Sequence, residues 1–171
     1  KMDHDRLQVT VSAGVSLARL VRFCQESGLA GTEFLAQIPG TVGGAVRMNA
    51  GAHGREIKDV VESITLINRE GKIVEASRES LAFTYRNLDL PEDSIITGAS
   101  FVLKKGETAE VEKKVAGFLR MRREKHPLEY RNAGSIFKNP AGTPAGRIID
   151  ELGLKGTRIG NAEISTKHGN F

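Results

Sequence analysis

The stretch Ile38-Pro39-Gly40-Thr41-Val42-Gly43-Gly44-Ala45-Val46-Arg47-Met48-Asn49-Ala50-Gly51-Ala52-His53-Gly54 constrains this chain more than any other. Glycines at 40, 43, 44, 51 and 54 remove the Cβ atoms that would keep backbone N–H groups away from a flat or phosphorylated ligand. The competing reading is a glycine-dense turn packed against a sheet. Two nucleotide motifs are excluded by spacing. Gly40-x-x-Gly43-Gly44 is not G-x-G-x-x-G, and no acidic residue about 20 positions on belongs to a βαβ unit. No G-x-x-x-x-G-K-[ST] string occurs. Residue pattern alone leaves a ligand-binding loop of open kind.

Around this stretch the periodicities alternate between strand and helix. Residues 7–12 alternate as a strand. Ser16 then precedes Leu17, Leu20, Val21 and Cys24 at helical spacing, with Gly28 past the end. On that face Cys24 reads as a packed small residue and not a nucleophile. Residues 60–68 and 72–76 flank Arg69-Glu70-Gly71 as a hairpin. Ser77 is a candidate cap for a short helix leading to Phe83 and Tyr85, and residues 94–104 read as a strand. After Gly106, Thr108 is a candidate N-cap for a helix with Val111, Val115, Phe118 and Leu119 on one face. Glutamates sit at its start and Arg120, Arg122, Arg123 and Lys125 at its end, as the helix dipole favours, and His126-Pro127 stops it. Thr143-Pro144 reads as N-cap and first position of a helix closing near Gly153. A domain boundary is placed at residues 104–108.

Composition narrows the class. With 171 residues, 39% hydrophobic and 27% charged, the chain can bury a core without disulfides, and its one cysteine cannot form an internal bridge. That usage suits a reducing cytoplasm. No apolar run approaches a membrane span, and the polar start lacks the apolar core of a signal peptide. A net charge of +4 mildly favours phosphate-bearing ligands. The histidines and the cysteine show no metal-ligand spacing, so no metal is expected.

The 38–54 string resembles the flavin-contacting loop of the UDP-N-acetylenolpyruvoylglucosamine reductase family of peptidoglycan precursor synthesis. Gln37 stands where relatives often carry glycine. Phe83-Thr84-Tyr85-Arg86 and Arg131-Asn132-Ala133-Gly134-Ser135-Ile136-Phe137-Lys138-Asn139-Pro140 resemble two further signatures, as do residues 160–165 and 168–171. The likeness therefore runs over essentially the whole chain. The short spacing from Arg86 to Ser135 is similar to the compact subtype without a tyrosine-bearing substrate loop. The resemblance implies an α+β fold. Part of an FAD-binding domain of the vanillyl-alcohol-oxidase-like type would occupy residues 1–105, and part of an α+β substrate-binding domain residues 106–171.

It also implies a reaction: FAD, reduced by NADPH, delivers hydride to the enol ether of UDP-N-acetylglucosamine enolpyruvate, giving UDP-N-acetylmuramate. Charge spreading into the conjugated carboxylate calls for a fixed cation, for which Arg86 is the candidate. Ser135 matches the proton donor to the α-carbon. The expected cofactor-binding residues are Ile38, Pro39, Gly40, Thr41, Val42, Gly43, Gly44, Met48, Asn49, Ala50, Gly51 and Gly54. Tyr85, Arg123, Lys138 and Asn139 are the expected substrate contacts, with Lys138 and the Arg122/Arg123 pair toward the diphosphate. The protein is expected to be a cytoplasmic monomer with no nucleic-acid or membrane partner. Family members are longer, so a diphosphate-holding loop is expected ahead of Lys1 and an assisting glutamate beyond Phe171. The alternative is a non-catalytic nucleotide- or nucleic-acid-binding module using residues 120–125.

Overall fold

The computed structural model describes residues 1–171. Strands β1 (Met2–Asp3) and β2 (Gln8–Ser12) pair antiparallel, and β2 leads into helix α1 (Leu17–Glu26). Ser16 caps α1, its Oγ accepting from the Arg19 N–H, and Leu17, Leu20, Val21 and Cys24 form the buried stripe that their spacing predicts. Gly28, at φ 62°, turns the chain in the left-handed region past the helix end. There follow β3 (Leu29–Ala30), helix α2 (Val42–Arg47) and the small hairpin of β4 (Gly51–Ala52) with β5 (Arg55–Glu56).

The β-branched segments form β6 (Val61–Ile67) and β7 (Ile73–Ser77), joined through the expected turn with Gly71 at φ 76°. Beyond β7 the expected helix is a single 3-10 turn, Arg78–Ser80. Ser77 makes no side-chain cap there, and its carbonyl instead accepts from Ser80 Oγ. A second small hairpin, β8 (Ala82–Thr84) with β9 (Asn87–Asp89), precedes β10 (Ile95–Val102), and β11 (Lys104–Lys105) pairs back with β3.

The main sheet has the order β1-β2-β10-β6-β7, with every neighbouring pair antiparallel. Its central strand β10 pairs Ile96 with Leu66 and Gly98 with Thr65, so Thr97 is an extra residue that kinks the strand. Val9, Ile64, Ala99 and Phe101 from the sheet pack with Leu17 and Leu20 of α1 and with Val42 and Val46 of α2. This mixture of sheet and helices is the expected α+β class.

Helix α3 (Thr108–Lys125) begins one residue earlier than expected: Thr108 is its first residue, and the Glu107 carbonyl accepts the first turn's N–H groups. By compactness the chain divides into Lys1–Phe118 and Leu119–Phe171. The division comes after the composition shift because Val111 and Val115 of α3 are buried in the first unit's core. The second unit holds helix α4 (Ala145–Glu151) and the hairpin of β12 (Arg158–Ile159) with β13 (Ala162–Glu163). Pro144 is the cap of α4 and not its first residue, since its ψ of 133° is extended. No helix is long and apolar enough to cross a membrane.

Candidate functional site

Residues Val42–Arg47 of the glycine-rich stretch are helical, which changes what its glycines do. Thr41 caps α2 with its Oγ1 accepting from the Gly44 N–H, while the Val42 and Gly43 N–H groups donate to Val15 and Ala13 carbonyls at 2.9 Å each. The first amides of α2 are therefore spent on docking it against the turn between β2 and α1. A Cβ on Gly43 would stand 2.8 Å from the Ala13 Cβ, so that glycine serves the docking itself. Gly14 and Gly40 are different: nothing lies within 4 Å of where their Cβ atoms would be.

An open cavity of about 510 Å³ lies here, walled by Ala13, Gly14, Thr41, Gly43, Gly44 and Arg47, with Leu90 and Ser94–Ile96 closing the far side. Bare glycine backbone beside open space, next to a hydroxyl and a guanidinium, fits one side of a flat, anionic cofactor such as FAD. Among the expected cofactor residues, Thr41, Gly43 and Gly44 face this cavity. Pro39, Gly40, Met48 and Gly54 are exposed, and Ile38 is partly buried. Val42, Asn49 and Ala50 are buried, so their side chains pack inside. Ala13 and Gly14 escaped the sequence reading because they precede the conspicuous stretch; Arg47 lies within it, but nothing local shows that its side chain borders the cavity.

Arg86 sits at the tight turn between β8 and β9, at φ 56°, with its guanidinium carried back over the β4–β5 hairpin. Nη1 donates to the Asn49 carbonyl at 3.3 Å and to Glu56 Oε1 at 3.1 Å, and Nη2 donates to the Gly51 carbonyl at 2.9 Å. At least two of the five guanidinium donors remain for a ligand. The Tyr85 ring lies 4.7 Å from the guanidinium carbon, and Tyr85 is 44% exposed. Asn49 ties the hairpins together from beneath. Its Nδ2 donates to Glu56 Oε2 and to the Thr84 carbonyl, and its Oδ1 accepts from the Lys58 N–H. Glu56 was invisible to sequence reasoning: its partner Arg86 is 30 residues away, and no motif links them.

In the second unit, Gly134 at φ 76° turns the chain before Ser135, an exposed residue. Asn132 pins the turn by accepting from the Gly134 N–H and donating to the Pro127 and Tyr130 carbonyls. Buried Asn170 holds the other side: its carbonyl accepts from the Ile136 N–H, and its side chain bonds both the N–H and the carbonyl of Phe137. Ser135 and Asn139 line one cavity of about 320 Å³ with Arg147, Lys155, Lys167 and His168. Asn139 Oδ1 also accepts the Ala145 N–H and so holds the start of α4. The three cations were missed because no motif links them to Ser135; each has a carboxylate partner, Arg147 with Glu151, Lys155 with Asp150 and, far along the chain, Lys167 with Glu129. Lys138 and Arg123 are exposed and lie outside this cavity's lining, although the Arg123 carbonyl receives Lys167 Nζ.

His168 and His126 meet edge to face at 5.2 Å, and both pack on the Phe171 ring at 4.7 Å. Burial holds both imidazoles below the ordinary histidine pKa. For His126 the neighbouring His168, Arg122, Lys125 and Lys167 charges add to it, and for His168 that of Lys155. Cys24 is fully buried, and burial pushes its thiol up to about 11, as befits a core residue.

Residues 1–77 match the family model for an FAD binding domain, and residues 126–171 match the C-terminal domain of UDP-N-acetylenolpyruvoylglucosamine reductase. The reductase of Syntrophus aciditrophicus is 52% identical over 166 residues, which covers 97% of this chain and 53% of that protein. That of Geotalea uraniireducens is 46% identical over 171 residues, covering 100% of this chain and 56% of the relative. The crystal structure of the Thermus caldophilus enzyme superimposes with a TM-score of 0.88 at 41% identity, covering 95% of this chain and 60% of that one. The chain thus spans about half the length of the curated relatives it matches.

Proposed function

The chain belongs to the UDP-N-acetylenolpyruvoylglucosamine reductase family, and from that premise we propose that it carries part of the site for NADPH-dependent, FAD-mediated reduction of UDP-N-acetylglucosamine enolpyruvate to UDP-N-acetylmuramate. The protein acts as a cytoplasmic monomer in this reading. Residues 1–105 form part of the FAD-binding domain and residues 106–171 part of the substrate domain. The observation that carries the proposal is Arg86, a cation fixed by three protein hydrogen bonds with donors to spare.

When bound, FAD supplies the hydride that is added to the β-carbon of the enol ether. Gly14, Gly40, Thr41, Gly43 and Gly44 offer the surface that would hold it. Arg86 grips the substrate carboxylate. Negative charge grows there as the β-carbon is reduced, so the fixed guanidinium stabilises the transition state more than the ground state. Ser135 Oγ gives its proton to the α-carbon, completing the addition of one hydride and one proton across the double bond. Asn139 orients the substrate beside Ser135. Arg147, Lys155 and Lys167, each partly neutralised by a carboxylate, join the sequence candidates Lys138 and Arg123 as cationic donors for the diphosphate. Tyr85, stacked under Arg86, contacts the substrate at its edge.

The test uses the intact protein that carries this chain. Ser135→Ala should leave flavin reduction by NADPH near the parental rate. Reoxidation by the enolpyruvyl substrate should slow by about 100- to 10,000-fold, the usual weight of a general acid. Equal loss in both half-reactions would remove Ser135 from the proton-donor role.

A further inference from the structure

We propose that Glu56 is a positioning residue for Arg86, setting the orientation in which the guanidinium meets the substrate carboxylate. The proposal rests on the reading of Arg86 given above. Glu56 ends the β4–β5 hairpin, and its carboxylate is largely shielded, with a side-chain exposure of 19%. Its two oxygens are divided between tasks. Oε1 receives Arg86 Nη1 at 3.1 Å, while Oε2 receives Asn49 Nδ2 at 2.9 Å and Lys58 Nζ at 3.0 Å. Glu56 thus binds the arginine with one oxygen and the buried base of the site with the other.

The neighbouring bonds make this an orienting contact and not only a neutralising one. The Asn49 and Gly51 carbonyls fix two more positions on the guanidinium, so the planar fork has three anchors from one side. The anchors need close approach. A Cβ on Gly51 would stand 2.8 Å from Glu56 Cγ and 3.2 Å from Arg86 Nη1, and it would run into the Arg55 carbonyl oxygen. One glycine of the conspicuous stretch therefore gives room to the arginine and its carboxylate. A carboxylate held against a catalytic cation lowers its net charge, yet it locks the remaining donors onto one line of approach. The gain is orientation: a group misplaced by about 1 Å can cost roughly 100-fold in rate.

The experiment is a double-mutant cycle in the intact protein, reading the two half-reactions separately. Glu56→Gln keeps an oxygen for Arg86 but loses the charge. It should leave NADPH reduction of the flavin within about twofold and slow reoxidation by the enolpyruvyl substrate about tenfold or more, with a raised KM for that substrate. Glu56 also caps the 3-10 turn Ile57–Asp59, so Glu56→Ala serves only as a second variant, checked for an unchanged melting temperature. The cycle decides between positioning and scaffolding. If Glu56 acts through Arg86, Glu56→Gln placed on Arg86→Ala should slow reoxidation no further, within about threefold. Losses that multiply, or Glu56→Gln at the parental reoxidation rate while Arg86→Ala is slow, overturn the positioning role alone. Arg86→Ala at the parental rate overturns both that role and the assignment of Arg86.

Discussion

Three residues in or beside the glycine-rich stretch and its arginine hold left-handed backbone without being glycine: Asn49 at φ 39°, His53 at φ 54° and Arg86 at φ 56°. Such conformations each carry a cost on the order of 1 kcal/mol and persist where surrounding bonds overdetermine them. Asn49 is fully buried and spends both ends of its amide on the hairpins. His53 stacks on Phe118 at 4.0 Å and accepts from the Gln37 amide. Arg86 is held by its three anchors. At this scale Gly51→Ala is the informative change, because the added methyl meets a carbonyl, Glu56 and Arg86 together. It should destabilise the protein by about 1–3 kcal/mol, as overpacking does. It should also slow substrate-driven reoxidation more than flavin reduction, a split that stopped-flow traces would show directly.

Among the elements, α1 and α2 keep their shape for opposite reasons. Helix α1 has a capping serine, a four-residue buried stripe and a left-handed glycine beyond its end, so local sequence suffices to specify it. Replacing Ser16 by alanine should cost about 1 kcal/mol in denaturant unfolding with an unchanged m-value. Helix α2 is only six residues long and contains two glycines, which alone would favour coil. It survives because Val42 and Val46 are fully buried against the sheet and its leading amides bond to the β2–α1 turn. That docking makes one wall of the cavity, so the wall is a product of packing.

Across the whole molecule, the second unit is the part most exposed to acid. His126 and His168 have folded-state pKa values below the ordinary value of about 6.5, so the unfolded chain takes up protons first as pH falls. Stability from these groups is fully present above about pH 6.5 and is lost as pH drops from there toward their depressed folded values. The buried Nδ1 of His126 has no hydrogen-bond partner to support a charge. Calorimetric melts at pH 7.5 and 5.5 should show the loss, and His126→Phe, which keeps the ring against Phe171, should shrink it. A variant with the parental pH slope would move the effect elsewhere.

The sequence by itself determined the class of fold, the register of α1, the β6–β7 hairpin and the identity of the motif-bearing segments around Gly40, Arg86 and Ser135. Those features are encoded locally, through side-chain period, turn glycines and strings long enough to be specific. Helix α2 inside an apparent loop, the one-residue shift at Pro144 and the small size of the turn after Ser77 were decided by tertiary packing. So were the cavity walls at Gly14 and Arg47, the cations beside Ser135 and the carboxylate on Arg86. These depend on how separate parts of the chain pack together and satisfy one another's polar groups. Glu56 and Arg86, 30 residues apart, are the clearest case: burial and hydrogen-bond closure across the fold set that pairing, and no short window of sequence contains both partners.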